Sequence, residues 1–332
     1  MNIAITGGSG YIGLNLAALL LQAGHQVHCL DRVRSPRLDP RVTFTQTDIF
    51  DHNALDAALD GIDVVYHLVA KITLAQEDEA AWRINVEGVR GVAEAARRQR
   101  LKRMVHVSSC ASFDQVLCQG NLHEKSPRAL NKQLPVYGRS KYAGEMEFLK
   151  VVEKGLDGVI CYPTGVYGPI DYSPNISRIS AVLLDSARDK VPAMVQGSFD
   201  LVDVRDVATG LMLASERGQT GENYLLGGHY VEMMDACRLA ASYVGRKGPR
   251  FVIPIKAMKA LAPIAAALTR QANPEESPFS KTALETIETS PRVDRSKAET
   301  HLGYAPRSVE TTIRDLITFF VEQGEFRQKI AA

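Results

Sequence analysis

Along the first 170 residues, short apolar runs alternate with longer amphipathic stretches. "IAIT" is followed by "IGLNLAALLLQAG", then "QVHCLD", "VTFTQTD", "ALDAALDG" and "DVVYHLVA". Next come "WRINVEGVRGVAEAARRQR", the run "RMVHVSS", a polar loop, "YGRSKYAGEMEFLKVVEKG" and "DGVICYP". Runs of four to six apolar residues bounded by helical patterns read as buried strands joined by crossover helices. Such connections are right-handed and build a parallel sheet covered on both faces. The pattern therefore predicts an α/β fold of the Rossmann type, a doubly wound parallel sheet, over residues 1–170. Beyond "YGP" the rhythm loosens, although "FDLVDVRDVATGLMLASE" and "GENYLLGG" (within 199–228) read as further elements of the sheet layer. Residues 171–198 and 229–332 are expected to form a smaller C-terminal substrate-binding lobe, with "IKAMKALAPIAAAL" (255–268) as a surface or lid helix too short to span a bilayer.

The first strand runs straight into "TGGSGYIG" and then into a helix. Gly7 permits the tight turn, Gly10 lets backbone approach a pyrophosphate, and Gly13 lets helix and strand pack closely. About 20 residues later, at the end of the second strand, Asp31 is placed to accept hydrogen bonds from ribose hydroxyls and to repel a 2′-phosphate. NAD is the expected cofactor. Arg32 and Arg34 follow at once, however, and an arginine there is the usual means of accepting the extra phosphate of NADP.

"YGRSK" sets Tyr137 and Lys141 four residues apart on one helical face. A neighbouring ammonium pulls a phenol down from about 10 toward neutrality, which suits proton exchange with a substrate oxygen. The preceding strand brings Ser108, Ser109, Cys110 and Ser112 to the same rim.

The glycine loop and the Tyr/Lys pair together resemble the short-chain dehydrogenase/reductase superfamily. "TGGSGYIG", "HLVA", "YGRSK" and "YPTGVYGP" are similar to its extended branch, which holds nucleotide-sugar epimerases and dehydratases, dihydroflavonol reductases and 3β-hydroxysteroid dehydrogenases. The resemblance implies that Gly7, Gly10 and Gly13 bind the diphosphate with Tyr11 and Ile12 offering amides. It implies that Asp48 and Ile49 frame adenine, and that Leu68, Val69, Ala70 and Asn85 lie along the cofactor. Pro163 and Val166 would lie against nicotinamide, Tyr137 would be the acid/base, and Lys141 would bind the ribose. The family's substrate-orienting hydroxyl falls on Cys110, a weaker donor, so Ser109, Cys110 and Ser112 stay open, in that order. A homodimer through helices near 80–98 and 138–153 is also implied.

The reaction expected is hydride transfer between nicotinamide and an alcohol or ketone. The alternatives are a nucleotide-sugar epimerase that retains NAD, and a catalytically weak cofactor-sensing protein. Lys plus Arg total 39 against 38 acids in 332 residues, which supplies no overall field for nucleic acid or an anionic membrane. A small-molecule substrate is therefore the expected partner. Five scattered cysteines without a Cys-x-x-Cys pair read as reduced thiols, and eight histidines without ligand spacing predict no metal. With no basic, apolar and cleavage-site succession at the N-terminus, a cytoplasmic location is expected.

Overall fold

The computed structural model describes residues 1–172, 176–268 and 280–326. In chain order the elements begin with β1 (Asn2–Thr6), α1 (Tyr11–Gln22), β2 (Gln26–Asp31), β3 (Thr43–Gln46), α2 (His52–Leu59), β4 (Val64–His67), α3 (Glu79–Trp82), α4 (Val89–Arg98) and β5 (Arg103–Val107). They continue with β6 (Asn121–Leu122), α5 (Val136–Val152), β7 (Gly158–Pro163), β8 (Gly165–Tyr167), α6 (Arg178–Ala187), β9 (Ala193–Val195), β10 (Ser198–Asp203) and α7 (Val204–Arg217). The remainder are β11 (Asn223–Leu226), β12 (His229–Glu232), α8 (Met233–Ser242), β13 (Phe251–Ile253), α9 (Ile255–Leu268), α10 (Lys281–Thr289), β14 (Arg292–Val293), α11 (Ser296–Leu302) and α12 (Val309–Glu322).

Two compact units result. The first comprises Met1–Thr164, Arg205–Gly227 and Val293–Ala305. Its sheet has seven strands in the order β11-β7-β5-β4-β1-β2-β3, and every pairing is parallel. The order reverses beside β1, between β4 and β2, which is where open α/β sheets leave a crevice at their C-terminal ends. β-branched residues at Ile3, Ile5, Val64, Val65, Val105 and Val159 are buried on this sheet. One face packs against α4 and α5 through Val89, Val92, Phe148 and Val151.

The second unit comprises Gly165–Val204, Gly228–Arg292 and Pro306–Ala332. In it β10 pairs parallel with β8 and antiparallel with β12, and β13 pairs with β9. Leu183, Leu184, Ala236, Cys237, Leu316 and Phe320, from α6, α8 and α12, form its core.

Three features differ from the sequence pattern. Segment 199–228 divides: β10 joins the small sheet of the second unit, while α7 and β11 complete the seven-stranded sheet. The stretch read as one helix around 82–100 opens as α3, widens to a π-helical turn over Arg83–Gly88, and only then continues as α4. Helix α5 crosses that turn at Gly144, where a Cβ would collide with the Asn85 carbonyl. Finally, the polar loop 111–135 is partly core: Phe113, Cys118, Leu122 and Ala129 are buried, and Phe113 bridges Arg128.

Candidate active site

Gly7 adopts φ +77°, the left-handed region open to glycine, and the turn is closed by Gly10 N–H donating to Gly7 O at 3.1 Å. A Cβ on Gly13 would sit 2.6 Å from Gly7 O and Gly8 Cα, so α1 seats against the turn only without a side chain there. Gly8, which the motif does not single out, is equally constrained, because its Cβ would meet Cys29 Sγ at 2.7 Å. Gly10 caps α1 with no side-chain hydrogen bond, so the positive end of the helix is left for an anion. Tyr11, Ile12 and Gly13 form its first turn.

Of the cofactor residues expected from the motif, Gly7, Gly10, Asp31, Arg32, Asp48, Ile49, Leu68, Val69 and Ala70 line a single cleft of about 270 Å³. Leu30, Thr47, Phe50 and Ile84 complete it. Asp31 is tethered across the turn: its carboxylate accepts from Ser9 N–H at 3.1 Å and Arg32 N–H at 2.8 Å. Each oxygen keeps further lone-pair capacity for ribose hydroxyls. Thr47 was not among the expected residues. It is buried and its hydroxyl has no partner, an orphan of the kind a bound ligand satisfies. An open helix end, a fixed carboxylate and an unpartnered hydroxyl in one cleft fit a dinucleotide.

Asn85 is engaged elsewhere. It accepts from Lys71 N–H at 2.9 Å and donates to Lys71 O and Ser140 Oγ at 3.0 Å, which locks the strand-four loop to α5. Pro163 ends β7, buried opposite Leu226, whereas Val166 lies on β8 of the second unit opposite Val202.

Helix α5 carries Tyr137, Lys141 and Glu145 at successive four-residue steps, one stripe down one face. The three candidates at the strand end differ in their surroundings. The Ser109 side chain accepts from Ala111 N–H at 3.2 Å. Ser112 is instead buried and bonded to Arg128, and Cys110 is half-buried beside the Gln115 amide.

The electrostatics depart from the expectation drawn from spacing. Burial pushes the Tyr137 phenol up to about 12, with the neighbouring Ser109 side chain opposing the shift. Lys141 is itself buried and donates to Val107 O at 2.8 Å, and burial brings its ammonium down to about 8 while Glu145 opposes the shift. Four-residue spacing put phenol and ammonium on one face, but it did not make desolvation the smaller effect.

Beneath this pair lies a buried polar cluster that the sequence reading missed. Glu145 accepts from Ser108, from Arg128 and, at 3.0 Å, from the Tyr162 hydroxyl. Arg128 also donates to Ser112 at 3.0 Å and lies 3.9 Å from the Phe113 ring centroid. Burial pushes the Glu145 carboxyl up, with Arg128 and the hydroxyls opposing. Glu145 was detectable as the next step of the Tyr/Lys stripe, whereas nothing local marks Arg128 in its loop. Alongside, His67 and His106 stack on neighbouring strands with ring centroids 5.7 Å apart. Thr6 Oγ1 lies 2.7 Å from His67 Nδ1. Burial brings His67 down to about 3 and His106 well below the usual imidazole value, with the Lys141 charge adding to both shifts, so both are neutral. Among the described residues, no group of three His, Cys, Asp or Glu gathers as a metal site, and no helix is long and apolar enough to cross a membrane.

Comparison with known proteins bears on the same residues. The family model described as "NAD dependent epimerase/dehydratase family" matches residues 3–227, the stretch that carries both the glycine turn and the Tyr/Lys helix. The chain belongs to that family. It is an enzyme of the NAD(P)-dependent oxidoreductase type within the extended short-chain dehydrogenase/reductases. It is 29% identical to sterol demethylase protein B of Methylococcus capsulatus over 98% of this chain and 99% of that one. It is 30% identical to a 4-hydroxy-2-methyl-3-oxo-4-farnesyl-3,4-dihydroquinoline-1-oxide ketoreductase of Stigmatella aurantiaca, over 92% of each chain. Among solved structures, that of gox2253 superposes with a TM-score of 0.81 at 29% identity, covering 98% of this chain and 99% of that chain.

Proposed function

We propose that the protein reduces a lipophilic ketone, or oxidises the matching alcohol, with NAD as the preferred dinucleotide. The observation that carries the reading is Tyr137 and Lys141 four residues apart on one face of α5, with Lys141 buried and donating to Val107 O at the end of β5 at 2.8 Å. When bound, the dinucleotide supplies or accepts the hydride at its nicotinamide ring. The Gly7–Gly13 turn holds the diphosphate, Asp31 takes the adenosine ribose, Thr47, Asp48 and Ile49 line the adenine side, and Lys141 donates to the second ribose. Ser109 orients the substrate oxygen and Tyr137 exchanges a proton with it. The lipophilic substrate class follows the names of the relatives, a sterol demethylase protein and a farnesylated quinoline ketoreductase. Dimerisation through α4 and α5, a cytoplasmic location, and the seven-stranded unit as the cofactor domain belong to the same reading.

The test is reduction of a panel of lipophilic ketones, followed by loss of dinucleotide absorbance, with Tyr137→Phe as control. The variant should lose at least a hundredfold in kcat while its dinucleotide Kd stays within about threefold, the scale expected of a positioned acid. Unchanged kcat would refute the acid role. Purification with a tightly retained dinucleotide, and no net redox turnover on any ketone, would move the reading to an epimerase.

A further inference from the structure

The near-neutral charge of the whole chain conceals a local asymmetry in the second unit. Residues 236–268 contain six cations, Arg238, Arg246, Lys247, Arg250, Lys256 and Lys259, and no Asp or Glu. Three of these are engaged within the unit. Arg238 donates to Pro249 O, Arg246 lies 3.6 Å from Asp189, and Lys259 pairs with Glu288. Lys247, Arg250 and Lys256 are exposed and form no ion pair with any acid among the described residues. In the same stretch of chain, β13 and α9 leave apolar side chains exposed: Phe251 is 68% exposed, Val252 45% and Leu261 50%.

We propose that this β13–α9 face docks reversibly on an anionic lipid bilayer surface. Phe251, the most exposed of these apolar side chains, enters the boundary between headgroups and acyl chains, while Lys247, Arg250 and Lys256 meet the lipid anions. Apolar anchors interleaved with cations are what an interfacial segment requires, and long basic side chains can lay their stems in the apolar layer with the charge at the headgroups. A second copy of the chain fits poorly, because a two-fold contact would bring one unpaired basic patch onto its duplicate. A protein partner usually needs 20–30 residues a side, whereas this patch spans residues 247–261 of one segment. A lipid surface demands no such complementary area.

The experiment sediments the full chain with phosphatidylcholine vesicles, with and without phosphatidylserine, at low and high salt. Each unpaired cation near such a surface is worth about fivefold in partitioning, so exchanging Lys247, Arg250 and Lys256 for Glu should lower binding to phosphatidylserine vesicles by at least about a hundredfold. Phe251→Ser should weaken binding several-fold and leave the salt dependence in place. Failure of the wild-type chain to sediment with phosphatidylserine vesicles would overturn the proposal, and so would equal binding to both vesicle types. Concentration-dependent dimerisation abolished by Phe251→Ser, without vesicle binding, would assign the face to a second copy. None of these readouts uses turnover, so the result stands apart from the reading of the active site.

Discussion

Glu145→Ala tests whether the buried cluster under helix α5 is built around an ion pair. The Glu145 side chain is 3% exposed and that of Arg128 16%. Removing the carboxylate strands the guanidinium and takes the acceptor from Ser108 and Tyr162. A buried cation left without its partner costs about 3–5 kcal/mol. At about 2 °C per kcal/mol for a long chain, the cofactor-free protein should melt roughly 6–10 °C lower. Calorimetry or urea unfolding measures it. Arg128→Met combined with Glu145→Leu removes both charges and fills the space between Phe113, Tyr142 and Tyr162 with apolar atoms. The double variant should be more stable than Glu145→Ala alone, because replacing a buried pair by packed apolar groups is often neutral. A loss below about 1 kcal/mol for Glu145→Ala, the size of an exposed pair, would refute the reasoning.

Thr47→Val should act in opposite directions on the two states. Removing an unpartnered buried hydroxyl raises the melting temperature of the free protein, while calorimetric titration shows a weaker dinucleotide Kd. Gly13→Ala places a methyl 2.6 Å from Gly7 O and should cost about 1–3 kcal/mol in stability along with cofactor affinity; wild-type values for both would show that α1 does not seat against the turn. Lys141 bears on alkaline stability, because its native ammonium titrates at about 8 against 10.5 for the free side chain. Between those values the unfolded chain binds the extra proton, so this group makes stability rise with pH from about 8 to 10.5, and Lys141→Met should remove that rise. The buried imidazoles act on the acid side. Native His67 titrates at about 3 and His106 is lowered too, while the unfolded chain protonates near 6.5, so stability should fall as pH drops below about 6.5. Replacing both by Gln should flatten that slope in urea titrations at stepped pH.

Strand, tight turn and helix are decided by residues close in the chain, and these were legible. The glycine turn, Asp31 at the end of β2, and the Tyr137–Lys141 stripe depend on offsets of a few residues or on a single strand–helix unit, where backbone geometry alone sets direction. The alternating apolar pattern likewise determined a parallel, doubly wound sheet, since each helix between strands forces a crossover. Other features depend on which groups lose water together. The pairing of Arg128 with Glu145, the orphaned Thr47 hydroxyl and the stacked His67 and His106 join residues from different elements. So does the departure of β10 for the second unit. Spacing can place an ammonium beside a phenol, but the proton affinity of each follows from its burial, and burial exists only once the strands and helices have closed over it.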